Sequence, residues 1–383
     1  MGLRFPERLL PLNQMGSLAV ELARFGSGEG AQPLQTVAQH ELWLRRAGGF
    51  PAWVDSAIAA MREGQHQGVT LPKIAMEKVL VQIDELASAR LEDGVFLKPL
   101  QQVPAEASAA QKARLTASYR DVFGGKVLPA LARLRDFLRD EHLARCRTSH
   151  GWSALPDGAA WYRWRAAEAT TTRLTPDEIH ELGLIEVKRI LAEMDQVRAQ
   201  VGFKGPLPEF FVHARTHSGF YFDKPDELFE AYAELKKKID AALPGQFSLF
   251  PKARHEVRPV EAFRAQSAAG AEYQQPSADG SRPGIFYVNT FNLKAQPRYG
   301  IQTLSLHEAA PGHHFQVALQ QELDLPRFRR FWGYTAYEEG WALYAETLGR
   351  DLGLYGDPMD YYGHLSDAQL RAMRLVVDTG LHA

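Results

Sequence analysis

From about Leu34 to Leu143, Leu, Ala, Val and Ile return every three or four residues between charged positions, the spacing that gathers an apolar face on an α-helix. This predicts a helical lobe. Its interruptions at Gly48-Gly49-Phe50-Pro51, Gly68 to Pro72, Pro99 to Pro104 and Gly124-Gly125 carry turn-favouring residues and predict connections between helices. The stretch Thr148 to Asp157, with Gly151 and Pro156, predicts a boundary between an N-terminal helical lobe over 1–150 and a second region over 151–383. Beyond it, Leu174-Thr175-Pro176-Asp177-Glu178 combines a capping threonine, a proline suited to the first helical position and a glutamate that completes a capping box. A helix should start there and run to about Val201. A second amphipathic helix is expected from Phe220 to Leu243, with Lys236, Lys237 and Lys238 on a solvated face. Between Arg254 and Asn289 the pattern turns to short β-prone segments, Val257 to Phe263 and Gly284 to Asn289, around the polar loop Ser277 to Pro283. A small sheet or hairpin is predicted, within a fold that is otherwise mainly α.

Composition narrows the function more than the fold. Apolar residues make up 45% and charged residues 23% of the 383 positions, which excludes a disordered or low-complexity chain and leaves an ordinary globular one. Lys and Arg number 44 against 46 Asp and Glu, so no broad cationic surface is available for a phosphate backbone and nucleic acid is not an expected partner. With a single cysteine, Cys146, any metal must be held by histidines and carboxylates. The first eight residues already carry Arg4, Glu7 and Arg8 and lead into no apolar run, and no stretch of about 18–20 apolar residues follows to span a membrane. The chain as it stands is expected in the cytoplasm, and in the periplasm or outside the cell if a further N-terminal segment precedes it.

The chemistry concentrates between Leu304 and Glu346. His307-Glu308-Ala309-Ala310-Pro311-Gly312-His313-His314 follows the apolar-flanked segment Ile301 to Leu306. Zinc hydrolases with His-Glu-x-x-His place two imidazoles one helical turn apart, with the intervening Glu directed at water. Here the later histidines come six and seven residues on, at roughly 240° and 340° around a straight helix and about 9 to 10.5 Å along it. An unbroken helix could not bring them to one ion. Pro311 has no N–H for the carbonyl of His307 and Gly312 is conformationally permissive, so the helix should bulge or unwind there. His313 then becomes the preferred second ligand, with His314 its competitor. Downstream, Tyr337-Glu338-Glu339-Gly340-Trp341-Ala342-Leu343-Tyr344-Ala345-Glu346 is an amphipathic segment whose apolar residues bracket acidic ones. The intervening chain is long enough for a turn near Leu325-Pro326 and an antiparallel helix that returns a carboxylate to the same point.

These motifs, with the closing Arg-Leu-Val-Val-Asp-Thr-Gly-Leu-His (374–382), Leu155-Pro156-Asp157-Gly158, the 174–183 segment and Arg282-Pro283-Gly284-Ile285-Phe286-Tyr287-Val288-Asn289, resemble the bacterial domain-of-unknown-function 885 family over most of the chain. That family is similar to gluzincin-type zinc metallopeptidases. The resemblance implies a multi-helix metallopeptidase-like fold with the β element beside the active-site helices. Glu339-Gly340-Trp341-Ala342 is also similar to the Glu-Gly-Phe-Ala segment of alanyl-type zinc aminopeptidases, which selects Glu339 over Glu338. Members of the family generally extend further at both ends, so this chain is expected to be truncated. The apolar run from Gln369 to Leu381 is an odd terminus for a complete domain.

The expected activity is hydrolysis of a peptide or small amide substrate. One zinc ion (Zn2+) would be held by His307, His313 and Glu339, with Glu308 as general base. For the donor opposite the developing negative oxygen the candidates are His382, Tyr361 and Tyr362. The family resemblance, which places the closing segment near the site, makes His382 the first choice. Gly284–Asn289 fits either an edge strand along the cleft, with Tyr287 and Asn289 at the substrate, or an ordinary core strand, and Arg374 is a candidate binder of a substrate carboxylate. Arg371, Arg374 and Asp378 fall at helical spacings, and the competing account of Arg374 is an internal ion pair with Asp378, four residues on. The competing readings are a helical binding or scaffold protein without turnover, and a zinc amidase acting on a metabolite. Oligomeric state does not follow from the spacing of residues.

Overall fold

The computed structural model describes residues 5–27, 32–261, 265–266 and 268–383. It is mainly helical with a small three-stranded sheet. Contacts divide the chain into a first unit that runs to Tyr162 and takes in Leu381–Ala383, and a second unit, Arg163–Gly380. The division falls inside a helix, not in the 148–157 stretch.

In the first unit, α1 (Leu18–Phe25), α2 (Val37–Ala47), α3 (Phe50–Gln67), α4 (Lys73–Ser88), α5 (Ala109–Tyr119) and α6 (Leu128–Phe137) surround a core that includes Trp43, Tyr119, Phe123, Leu131 and Leu134. Gly68 closes α3 in the left-handed region, at φ 72, where glycine alone carries no steric cost. Gly124-Gly125 does not break the chain as expected. Arg120–Val127 continues as wider π-type turns that join α5 to α6. Val122, Phe123 and Val127 are buried there, and a Cβ on Gly124 would come within 2.9 Å of Leu91. Burial of three large apolar side chains, each worth about 1.5–3 kcal/mol, outweighs a helix-propensity cost of about 1 kcal/mol per glycine.

The division falls within α7 (Gly158–Thr170), after which α8 (Pro176–Gln200) opens the body of the second unit. Its expected capping box is present: Thr175 Oγ1 accepts the Glu178 N–H at 3.2 Å, and the Glu178 carboxylate accepts the Thr175 N–H at 2.8 Å. After α9 (Leu207–Thr216), α10 (Pro225–Ala242) starts later than Phe220, because Ser218–Phe220 forms a separate turn and Pro225 occupies the first helical turn. Lys236 and Lys237 pair with Asp240 and Glu234 along the surface of α10, as a solvated face would.

The sheet consists of β1 (His255–Pro259), β2 (Ala271–Gln274) and β3 (Gly284–Val288) in the order β1-β3-β2. β3 runs parallel to β1, with Val257 opposite Phe286, and antiparallel to β2, with Tyr273 opposite Phe286. Residues 262 and 263 of the expected Val257–Phe263 segment lie outside the described residues. The remaining helices are α11 (Ile301–Glu308), α12 (His313–Glu322), α13 (Arg327–Phe331), α14 (Thr335–Thr347) and α15 (Pro358–His382). One core of this unit joins Tyr232, Phe286, Leu306 and Phe315, and another joins Ile190, Met194, Phe210, Tyr362 and Leu365. Among the described residues no helix is long and apolar enough to cross a membrane.

Candidate metal centre

The site begins where α11 stops. Ala309 still donates its N–H to Ser305 O at 3.0 Å, but its own backbone, at φ −104 and ψ −105, has left the helix. Pro311 then has no N–H to offer, and the chain re-enters helix at His313. Gly312 lies so close to the end of α11 that a Cβ there would stand 2.0 Å from His307 O and 2.2 Å from Leu306 O. Close approach demands the glycine, at a backbone of φ −74 and ψ −134 that is neither helical nor extended. Trp341 Nε1 donates to Pro311 O at 2.7 Å and ties the junction to α14. The result is that the rings of His307 and His313 lie 4.7 Å apart between centroids, nearly perpendicular at 86°.

Glu339, on α14, faces both. Its Oε2 is 3.5 Å from His307 Nε2 and its Oε1 is 3.6 Å from His313 Nε2, and one donor atom from each of the three residues lies within 4.8 Å of the others. A tetrahedral zinc with bonds near 2.0–2.1 Å separates its ligand atoms by about 3.3 Å. Each imidazole lies within a few tenths of an ångström of that spacing from one of the two Glu339 oxygens. Two imidazoles and a carboxylate, with no thiolate, are a donor set suited to zinc or a neighbouring divalent transition metal.

The neighbouring candidates are otherwise engaged. His314 Nε2 donates to the carbonyl of Ala253 at 3.0 Å, so its Nδ1 accepts the Tyr273 hydroxyl at 3.0 Å. Burial pushes its pKa down to about 4, in keeping with that neutral tautomer. It is therefore His313 that shares the donor cluster. Glu338 turns its carboxylate toward Gly333.

Burial and charge set the protonation of the metal-free site. The Glu308 carboxyl is pushed up to about 7, first by burial and then by the carboxylates of Glu339 and Glu272, against the opposing charges of His307 and Arg371. Burial, reinforced by the positive charge of His307, takes His313 down to about 4. At His307 burial pulls the same way, but the carboxylates of Glu339 and Glu346 outweigh it and hold the imidazole at about 9. Glu339 lies below its ordinary value, chiefly through its hydrogen bond to His307. A proton on His307 thus compensates Glu339 and Glu346 in the metal-free protein, as a bound cation would.

Two participants were not foreseen in their roles. Glu346, 1% exposed, accepts from His307 Nδ1 at 2.7 Å through Oε1. Arg371 forks onto the same carboxylate, with Nη2 2.7 Å from Oε1 and Nη1 2.9 Å from Oε2. The signal was present in two places. Glu346 lies two turns beyond Glu339 on the same helix face, and His364, Asp367 and Arg371 recur at three- and four-residue spacing along the largely apolar α15.

Several expected residues lie elsewhere. β3 is the central strand, paired on both sides and buried along its length, so of the two expected arrangements it is the core strand and not the edge strand. Tyr287 points into a small core with Ile285 and Val260. The Asn289 amide donates to the carbonyls of Ala265, Ala268 and Ala269, so it fastens a loop instead of facing substrate. Arg374 is exposed, and the arginine at the site is Arg371. His382 belongs by its contacts to the first unit, where Nδ1 accepts the Trp152 N–H at 3.2 Å and the ring stacks on Tyr162. Tyr361 donates to Glu193, and Tyr362 is buried against Phe210 and Tyr299.

Residues 3–383 match the model of a bacterial protein family of unknown function, DUF885. Among functionally curated proteins none matches. Solved structures do. One, described as a "putative lipoprotein" from Colwellia psychrerythraea, is 30% identical with a TM-score of 0.91 over 97% of this chain and 64% of its own. Another, described as a "putative lipoprotein of unknown function" from Shewanella oneidensis, is 17% identical with a TM-score of 0.62 over 95% of this chain and 65% of its own. The second likeness is one of fold alone. This chain spans slightly less than two thirds of the length of either structure.

Proposed function

The chain belongs to a bacterial family, DUF885, that carries no assigned activity, and from its site we propose that it is a zinc-dependent hydrolase of peptide or amide bonds. The observation that carries this reading is the convergence of His307, His313 and Glu339 donor atoms within 4.8 Å of one another, beside a buried Glu308. A zinc ion held there supplies a Lewis acid and lowers the pKa of water toward about 7. The neutral imidazoles of His307 and His313 and the ionised carboxylate of Glu339 are the ligands. Glu308 is the general base. Buried beside the cluster, it takes a proton from water and returns it to the departing nitrogen. Its burial keeps bulk water from competing for that proton.

The substrate is a peptide or a small amide. The lipoprotein description of the 30%-identical solved structure supports a location outside the cytoplasm over the cytoplasmic address expected from the absence of a signal.

The test is metal analysis joined to turnover. Protein purified without added metal should carry or take up about one equivalent of zinc and cleave members of a peptide library. Glu308→Gln should retain the zinc and lose turnover by at least about 100-fold. Protein that takes up no zinc on dialysis would leave a scaffold as the better reading, and an active Glu308→Gln would remove Glu308 from the role of base.

A further inference from the structure

The buried carboxylate of Glu346 has two oxygens and more partners than a simple salt bridge requires. Oε1 lies 2.7 Å from both His307 Nδ1 and Arg371 Nη2, and Oε2 lies 2.9 Å from Arg371 Nη1. Two parallel bonds from one guanidinium fix the plane of a carboxylate, where a single bond would leave it free to rotate. Arg371 Nη2 also approaches His307 Nδ1, at 3.5 Å. Nδ1 cannot both donate to Glu346 and accept from Arg371. The bond that is 0.8 Å shorter decides, so Nδ1 carries the hydrogen and Nε2 is left to face Glu339 and His313.

We propose that Arg371 is a positioning residue that fixes the plane of Glu346 and, through it, the tautomer and orientation of His307 as a metal ligand. The inference rests on the zinc reading above. The clamp spans two helices, Glu346 on α14 and Arg371 on α15, and the second helix is thereby coupled to a site to which it contributes no ligand. Charge alone does not account for the arrangement. A lysine would neutralise Glu346 equally well but, as a single-point donor, would leave its plane free.

The experiment compares zinc affinity, by competition with a chromophoric chelator, and the visible spectrum of the cobalt(II)-substituted protein, for the parent chain, Arg371→Met and Arg371→Lys. Loss of a partner behind a ligating histidine typically weakens metal binding about 10–100-fold. Arg371→Met should fall in that range with an altered cobalt spectrum, and Arg371→Lys should fold like the parent yet stay several-fold weaker. A purely structural role would lower the melting temperature of Arg371→Met and leave the lysine variant's spectrum unchanged. Should Arg371→Met fail to fold, the lysine variant decides alone. Parent-like affinity and spectrum in Arg371→Lys, when the parent binds zinc, overturn this inference and leave the zinc reading intact. A parent chain that binds no zinc overturns both.

Discussion

Replacing Gly312 by alanine tests the geometry on which the site depends. The added Cβ would sit 2.0 Å from His307 O and 2.2 Å from Leu306 O. Both obstacles are backbone atoms at the end of α11, so no side-chain rotation relieves them. Real Cβ contacts do not fall below 3.0 Å, so α11 and α12 must part by about 1 Å at the point that presents His313 to His307. Metal sites hold their bond lengths within about 0.2 Å, and the displacement is several times that. Overpacking of this kind typically costs about 1–3 kcal/mol, which for a unit of this size lowers the melting temperature by roughly 2–12 °C. The zinc dissociation constant should rise at least about tenfold. The control is Gly340→Ala on α14, next to Glu339, where a Cβ meets nothing within 4 Å and replacement of a helical glycine stabilises by up to about 1 kcal/mol. Calorimetry with and without zinc, together with chelator competition, reads both quantities. If Gly312→Ala melts and binds zinc as Gly340→Ala does, the close approach of the two helices is not what brings the histidines together.

Two further substitutions separate the adjacent histidines. His313→Gln should abolish stoichiometric zinc uptake, whereas His314→Gln should retain it and lose stability, because His314 bridges Tyr273 and Ala253; zinc lost in the second and kept in the first would reverse the assignment. In the first unit, His142 is buried and pushed down to about 4 by that burial, while its Nδ1 accepts from Gln65 Nε2 at 2.7 Å. Its folded pKa lies below the unfolded value of about 6.5, so its contribution is fully present above that value and drains away as pH falls toward 4, at up to about 1.4 kcal/mol per pH unit. Melting curves between pH 4 and 7 should therefore show a shallower acid limb for His142→Asn than for the parent, and an equal slope would remove His142 from the acid response.

What the sequence discloses about this site follows how local each determinant is. The Thr175 capping box involves neighbours three residues apart and is readable as letters. The break at Pro311-Gly312 is readable too, since a missing N–H and a missing Cβ are properties of single residues. Gly312 adopts a backbone that is neither helical nor extended, at φ −74 and ψ −134, as a break requires; the second constraint, the neighbouring carbonyls, is one no local pattern announces. Gly124-Gly125 fails as a break for the same kind of reason, because the core around Phe123 decides against local propensity. β3 shows the limit most plainly. An apolar run of five residues fits an edge strand and a central strand equally well, and only pairing with β1 and β2 from both sides distinguishes them. Arg371 and Arg374 are likewise equal candidates by letter. The choice falls on Arg371 because the buried face of α15 that carries it meets Glu346, 25 residues earlier. The three clustered residues, His307, His313 and Glu339, were legible because their identities announce chemistry. The ion pair behind them was not, because a buried carboxylate and its arginine are distinguished from a solvated pair only by the fold that buries them.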